Sequence, residues 1–137
     1  MVNCFIKYQL NQDGVITEDS LTGKYEKVGS LYRVTFVTKN DGAISEHSYV
    51  KISNNAFKIS VKGDTEYSLR VAEGENSNAT MKTGEVVFPF ISKTIKCQVE
   101  SDDFGMKIYA EYDIIAFNQS IKNRLTLVVN LNGDLKC

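Results

Sequence analysis

Few residues in this chain could do chemistry: one histidine, three cysteines and seven tyrosines spread among short apolar runs. His47 follows Glu46 and precedes Ser48, and an imidazole beside a carboxylate could move protons. No Ser or Cys elbow accompanies it, so a second catalytic group cannot be named. One histidine cannot build a metal site, which needs several ligands at set spacing. Cys4, Cys97 and Cys137 are odd in number and far apart, and make neither a disulfide framework nor a zinc knuckle. Cys4 and Cys97 fall on the apolar parity of their runs, where a thiol serves as a small buried hydrophobe with nothing cationic nearby to activate it. Asp102-Asp103 stands in a turn, where Asp is favoured for backbone reasons. The glycines form neither a GxGxxG nor a Walker pattern. These residues predict no catalytic centre, no metal and no cofactor, and the chain is expected not to be an enzyme.

The elements that must position these residues are strands. Apolar and polar residues alternate from Cys4 to Leu131, most clearly over Ile121–Leu131, where Ile121, Leu125, Leu127, Val129 and Leu131 share one parity. A period of two means one face in a core and one in water. Candidate strands are Val2–Leu10, Val15–Val28, Leu31–Lys39, Ala43–Ser53, Ala56–Lys62, Thr65–Ala72, Ala79–Lys82, Glu85–Ile91, Lys93–Glu100, Met106–Phe117 and Ile121–Leu131. Asp13-Gly14, Asn40-Asp41-Gly42, Asn54-Asn55 and Asn118-Gln119-Ser120 supply residues that tolerate positive φ at hairpin turns. Glu73–Asn78 is the longest stretch without a pattern. The expected fold is all-β, a single antiparallel barrel of about 8–11 strands over residues 1–137. Pro89 cannot donate to a ladder, so its run should be an edge or carry a bulge. That exposed edge is where a homodimer would form.

Composition narrows the function classes. The 137 residues suit one domain with its own core, and 42% hydrophobic and 24% charged content suits a globular chain. Acidic and basic residues number 17 and 16 and are interspersed, which argues against nucleic acid or an anionic membrane as partner. The opening residues form a strand pattern rather than a signal peptide, and no apolar stretch approaches membrane-spanning length. The chain reads as cytoplasmic, so the sequons at Asn78 and Asn118 are chance.

Taking the more apolar parity of each strand as inward gives a lining. It includes Val2, Cys4, Ile6, Tyr8, Tyr32, Phe36, Phe57, Ile59, Tyr67, Val86, Ile95, Cys97, Ile108, Tyr112 and the Ile121–Leu131 set. Tyr8, Tyr32, Tyr67 and Tyr112 on that face would need partners for their hydroxyls, either water and a ligand inside or solvent at a rim. Ala43–Ser53 is irregular: Ile44, Val50 and Ile52 share a parity with Glu46 and Ser48, while His47 and Tyr49 fall on the other. Either Glu46 and Ser48 are rim partners of a ligand, or the strand has left the barrel mouth or carries a bulge that flips its register.

Several landmarks recur in order along the chain. They are Gly23-Lys24-Tyr25 before the Tyr32 strand, Val50-Lys51-Ile52-Ser53, Gly63, and Arg70-Val71-Ala72-Glu73-Gly74. Thr83-Gly84-Glu85, Thr94-Ile95, Glu111-Tyr112-Asp113-Ile114 and the closing Leu125–Asn130 strand follow. On these the chain resembles the YwiB-like family of uncharacterised cytosolic bacterial proteins from roughly Gly23 to Gly133. The resemblance implies a lipocalin-like (calycin) barrel and supplies no established activity. An arginine often found just before the family's central glycine is absent, since Val61-Lys62 precedes Gly63, and the loop after Gly74 is shortened. An anion-binding role resting on that arginine is therefore not implied here.

Three functions remain open from the sequence. The barrel could hold a small, mostly apolar molecule, with Tyr8, Tyr32, Tyr67 and Tyr112 as polar contacts and Glu46 and Ser48 at the rim. It could be filled by its own side chains and serve as a scaffold or protein-interaction module. Less in keeping with the residues, Glu46 or His47 could act as acid or base at the barrel mouth.

Overall fold

The computed structural model describes residues 2–40 and 42–131; Cys137 and Asp41 lie outside the described residues. Ten strands follow one another: β1 (Val2–Gln12), β2 (Val15–Val28), β3 (Leu31–Asn40), β4 (Ala43–Ser53), β5 (Ala56–Lys62), β6 (Thr65–Ala72), β7 (Asn76–Thr83), β8 (Val86–Asp102), β9 (Gly105–Ala116) and β10 (Gln119–Asn130). Each pairs antiparallel with its neighbour in sequence, and β1 returns to β10, so the sheet closes on itself. Closure matters because an open sheet would leave two rows of unpaired backbone groups. The last strand is the most regular, with an unbroken register to both β1 and β9.

The inward face packs Ile6, Phe57, Ile59, Met106, Ile108, Leu125 and Leu127 to complete or near-complete burial. Each such side chain contributes about 1.5–3 kcal/mol relative to leaving it in water. Cys4 and Cys97 are buried free thiols, and burial pushes Cys97 up to about 12 with Glu73 adding to the shift. They are core residues, as the parity implied.

Two bulges set which residues face inward. The β4–β5 hairpin opens with Ser53 opposite Ala56, but Lys51 then lies opposite Phe57, so Ile52 is an extra residue. Past that bulge Tyr49 faces Ile59 and His47 faces Val61, and Glu46 and Ser48 turn outward. Of the readings the sequence left open for this strand, the register-flipping bulge is the one found, and an inward Glu46 and Ser48 are corrected to outward. An uninterrupted register would have pointed Glu46, Ser48 and Val50 into the core, and one inserted residue reverses the whole strand.

The second bulge lies in β8. The two candidate strands Glu85–Ile91 and Lys93–Glu100 are one long strand, with a register shift against β9 between Thr94 and Lys96. Ile95 is the extra residue and is exposed rather than inward. Before the bulge Ser92 and Thr94 are inward, and after it Cys97 and Val99. Val2, Val86 and Ile121 are also exposed, because they lie at strand ends where the barrel no longer covers them. The stretch after Gly74 is a short turn, and β7 already begins at Asn76.

Pairing around the barrel is uneven. Among the described residues β2 pairs with β3 only from Gly23 to Val28, so there Val15–Thr22 is held by β1 alone and Val37–Asn40 by β4 alone. The residue where β2 leaves β3 is Gly23, where a Cβ would run into the Thr35 carbonyl and the Ile6 side chain. β6 and β7 pair only over Thr65–Tyr67 and Met81–Thr83. Val86–Phe90, including Pro89, pairs with β7 while β9 joins only from Ile91. A missing N–H is tolerated on such a one-sided stretch.

Candidate functional site

The barrel interior has two unlike ends. At one, the β8–β9 turn folds over the mouth and is tied down by tyrosines. The Tyr25 hydroxyl donates in a bifurcated bond to the carbonyls of Asp102 and Gly105, at 3.0 and 2.9 Å. Tyr32 donates to Asp103 Oδ1 at 2.9 Å and stacks on Tyr25 with ring centroids 5.6 Å apart. Tyr32 is thus satisfied at the rim and is not brought together with the other sequence-identified tyrosines. Tyr25, which the parity assignment passed over, is buried and acts as the plug.

At the other end four tyrosines converge from four strands: Tyr8 on β1, Tyr49 on β4, Tyr67 on β6 and Tyr112 on β9. Tyr49 and Tyr112 are 3% and 6% exposed, so their polar atoms belong to the interior. Among the described residues none of the four hydroxyls has a hydrogen-bond partner, although their rings are well packed. Tyr8 packs on Phe36, Tyr49 on Phe36 and Phe57, and Tyr67 edge-on against Phe90.

The hydroxyls lie close enough to disfavour one another's ionisation. Burial pushes Tyr8 up to about 12, and Tyr67 adds to it. Burial, then Tyr8, Tyr67 and Tyr112, holds Tyr49 far above the ordinary phenol range. Tyr112 is raised by burial and then by Tyr67 and Tyr8, and Tyr67 by burial. All four are neutral hydroxyls at any ordinary pH, each able to donate one hydrogen bond and accept others.

More unsatisfied polarity surrounds them. Ser92 is fully buried and its Oγ has no partner. Thr94, also buried, lies opposite Tyr112 on β9, and buried Asn123 lies opposite Tyr112 on β10. Asn123 is itself satisfied: its amide donates to the Ile121 carbonyl at 3.0 Å and its oxygen accepts from Gln12 at 2.9 Å. His47 stacks on Phe36 at 4.8 Å, lies 6.3 Å from the Tyr8 ring, and bonds to Thr38 Oγ1 through Nε2 at 3.0 Å. Its Nδ1 is buried without a partner, and burial lowers its pKa. Buried polar atoms are nearly always paired with protein or water, so Ser92 Oγ and His47 Nδ1 call for water or another polar partner.

Where β2 parts from β3 the barrel wall is open, and Phe36 and His47, rather than the four tyrosines, are the interior side chains that line the opening. A cleft of about 950 Å3 occupies it, bounded by Asp19 and Leu21 on one side and Val37 and Lys39 on the other, with Phe36 and His47 at its floor. Glu46 and Ser48 line the outer part of this cleft, outside the barrel wall. Among the described residues no three His, Cys, Asp or Glu side chains gather in a way that could hold a metal ion.

Sequence parity identified Tyr8, Tyr67 and Tyr112 as inward. It missed Tyr49 and His47 because their strand carries more aliphatic residues on the opposite face. The unpaired Glu46 on the supposed core face was the usable signal.

A sheet closed by β1 on β10, plugged at one end and lined with neutral hydroxyls at the other, defines the class: a closed antiparallel β-barrel that fits the calycin description. The chain belongs to the DUF1934 family, described as a domain of unknown function, which matches residues 3–127. Its fold is that of the ywiB protein from Bacillus subtilis, whose crystal structure superposes with a TM-score of 0.79 over 95% of this chain and 90% of that one, at 16% identity. No curated protein matches the chain.

Proposed function

We propose that the barrel binds a small, mostly apolar molecule in its interior, with its polar atoms received by Tyr8, Tyr49, Tyr67 and Tyr112. The observation that carries this reading is the set of four interior hydroxyls without a protein partner, in a region otherwise walled by Phe36, Phe57 and Phe90. Apolar surroundings with a few convergent polar groups are the usual makeup of a small-molecule site. Glu46 and Ser48 contribute only at the outer edge of the cleft, and Tyr32 not at all.

The scaffold reading draws on the opposite end, where Val34, Val99, Met106 and Ile108 are buried and Tyr25 and Tyr32 close the mouth. It accounts for that half and leaves the tyrosine cluster without a purpose. Among the described residues the inward partners of His47 are the Phe36 and Tyr8 rings, Thr38 and Val61, which give acid-base work no support. Among the described residues no helix is long and apolar enough to cross a membrane. The outer face carries exposed Lys7, Lys58, Arg70, Lys93, Lys107 and Arg124, which supports a water-facing barrel.

Native mass spectrometry of the protein purified from its own cells tests the proposal. A discrete added mass that leaves on denaturation is the expected result. A bare chain mass under gentle conditions, from cells grown in several media, contradicts it.

A further inference from the structure

Resting on the interior-binding reading above, we infer that the ligand is uncharged, a neutral molecule with a hydroxyl, carbonyl or ether group, and that anions of the same shape are refused. Among the described residues no Asp, Glu, Lys or Arg is buried, and the buried polar side chains are Ser92, Thr94 and Asn123. An ion entering such an interior would lose its hydration and meet no opposite charge, a cost of several kcal/mol. A neutral polar group meets tyrosine hydroxyls that can donate or accept to suit it.

The cleft adds to the selection. Asp19 lies opposite Tyr8 in the β1–β2 register, so both occupy the same face of the sheet, and it stands exposed where β2 has separated from β3. A carboxylate at that position repels an arriving anion. The cations of the cleft, Lys24, Arg33, Lys39 and Lys62, are on the outward parity of their strands, and Arg33 is engaged by Glu26 and Lys24 by Asn3. None of them reaches the barrel interior to accompany a charged ligand.

The test compares 1-decanol with decanoate at neutral pH, two probes of equal chain length that differ in terminal charge. Binding is followed by tyrosine emission, which is unmasked because the chain contains no Trp. The expected outcome is a saturable change with decanol and affinity for decanoate at least about tenfold weaker, a difference of 1.4 kcal/mol or more. Tyr67→Phe and Tyr112→Phe should each weaken decanol severalfold. Equal affinities, or tighter decanoate, would overturn the inference and leave interior binding standing. Decanol affinity unchanged in the Tyr67→Phe, Tyr112→Phe double variant would overturn it too, by placing the probe elsewhere. No response to either probe would overturn interior binding itself, and this inference with it.

Discussion

Ionising Tyr8, Tyr49, Tyr67 or Tyr112 would place a phenolate among aromatic rings with no cation beside it. Folding therefore holds on to protons that the unfolded chain releases near pH 10. The stability these groups contribute is complete below about pH 10 and falls as pH rises above it, because their folded pKa values are raised. An alkaline titration followed by phenolate absorbance and circular dichroism should show the interior tyrosines ionising together as the barrel unfolds. Tyr49→Phe should soften that transition. Stepwise ionisation near pH 10 with the sheet intact would mean that the hydroxyls already face bulk water. Three of the four were legible as inward residues, since Tyr8, Tyr67 and Tyr112 alternate with polar neighbours in regular strands. Tyr49 was not, because its inward position depends on a residue three places away in sequence.

That residue, Ile52, belongs to the scale of the strand. Sequence alternation reports a period but not its phase across an irregularity, and a bulge changes the phase. The uninterrupted strands β9 and β10 could therefore be read directly, while β4 stayed open between an inward Glu46 and a bulge, and β8 read as two pieces. The pairing that closes β1 on β10 joins residues more than a hundred positions apart, beyond anything local patterning carries. Deleting Ile52 should remove the bulge and keep the present pairing, with Lys51 opposite Phe57 and Tyr49 opposite Ile59, so that Glu46 and Ser48 stay outward. We expect a change within about 1.5 kcal/mol in urea unfolding, since no carboxylate becomes buried. A loss above about 3 kcal/mol, as burial of Glu46 would cause, would show that Ile52 is not the residue that sets the phase. On β10, Leu127→Asp tests the regular case. Leu127 is fully buried opposite Tyr8 and Ile108, so the variant should lose more than about 4 kcal/mol or fail to fold. Melting unchanged from the parent would mean the face assignment is reversed.

For the molecule as a whole, the two ends of the barrel do different work. One end is filled by aliphatic side chains and sealed by Tyr25 and Tyr32 against the β8–β9 turn, which fixes the closed shape. The other leaves hydroxyls free and opens sideways where β2 parts from β3. A barrel needing only stability could have paired these strands fully and filled this end with leucines, as it does elsewhere. The fold is shared with the Bacillus subtilis ywiB protein at 16% identity, so it tolerates wide sequence change. The central claim is that the interior tyrosines hold a molecule. The most direct measurement is crystallographic difference density from protein purified out of its own cells. Continuous density, larger than water, is expected within about 3 Å of at least two of the Tyr8, Tyr49, Tyr67 and Tyr112 hydroxyls. Side chains packed against one another there, with no density between them, would contradict it.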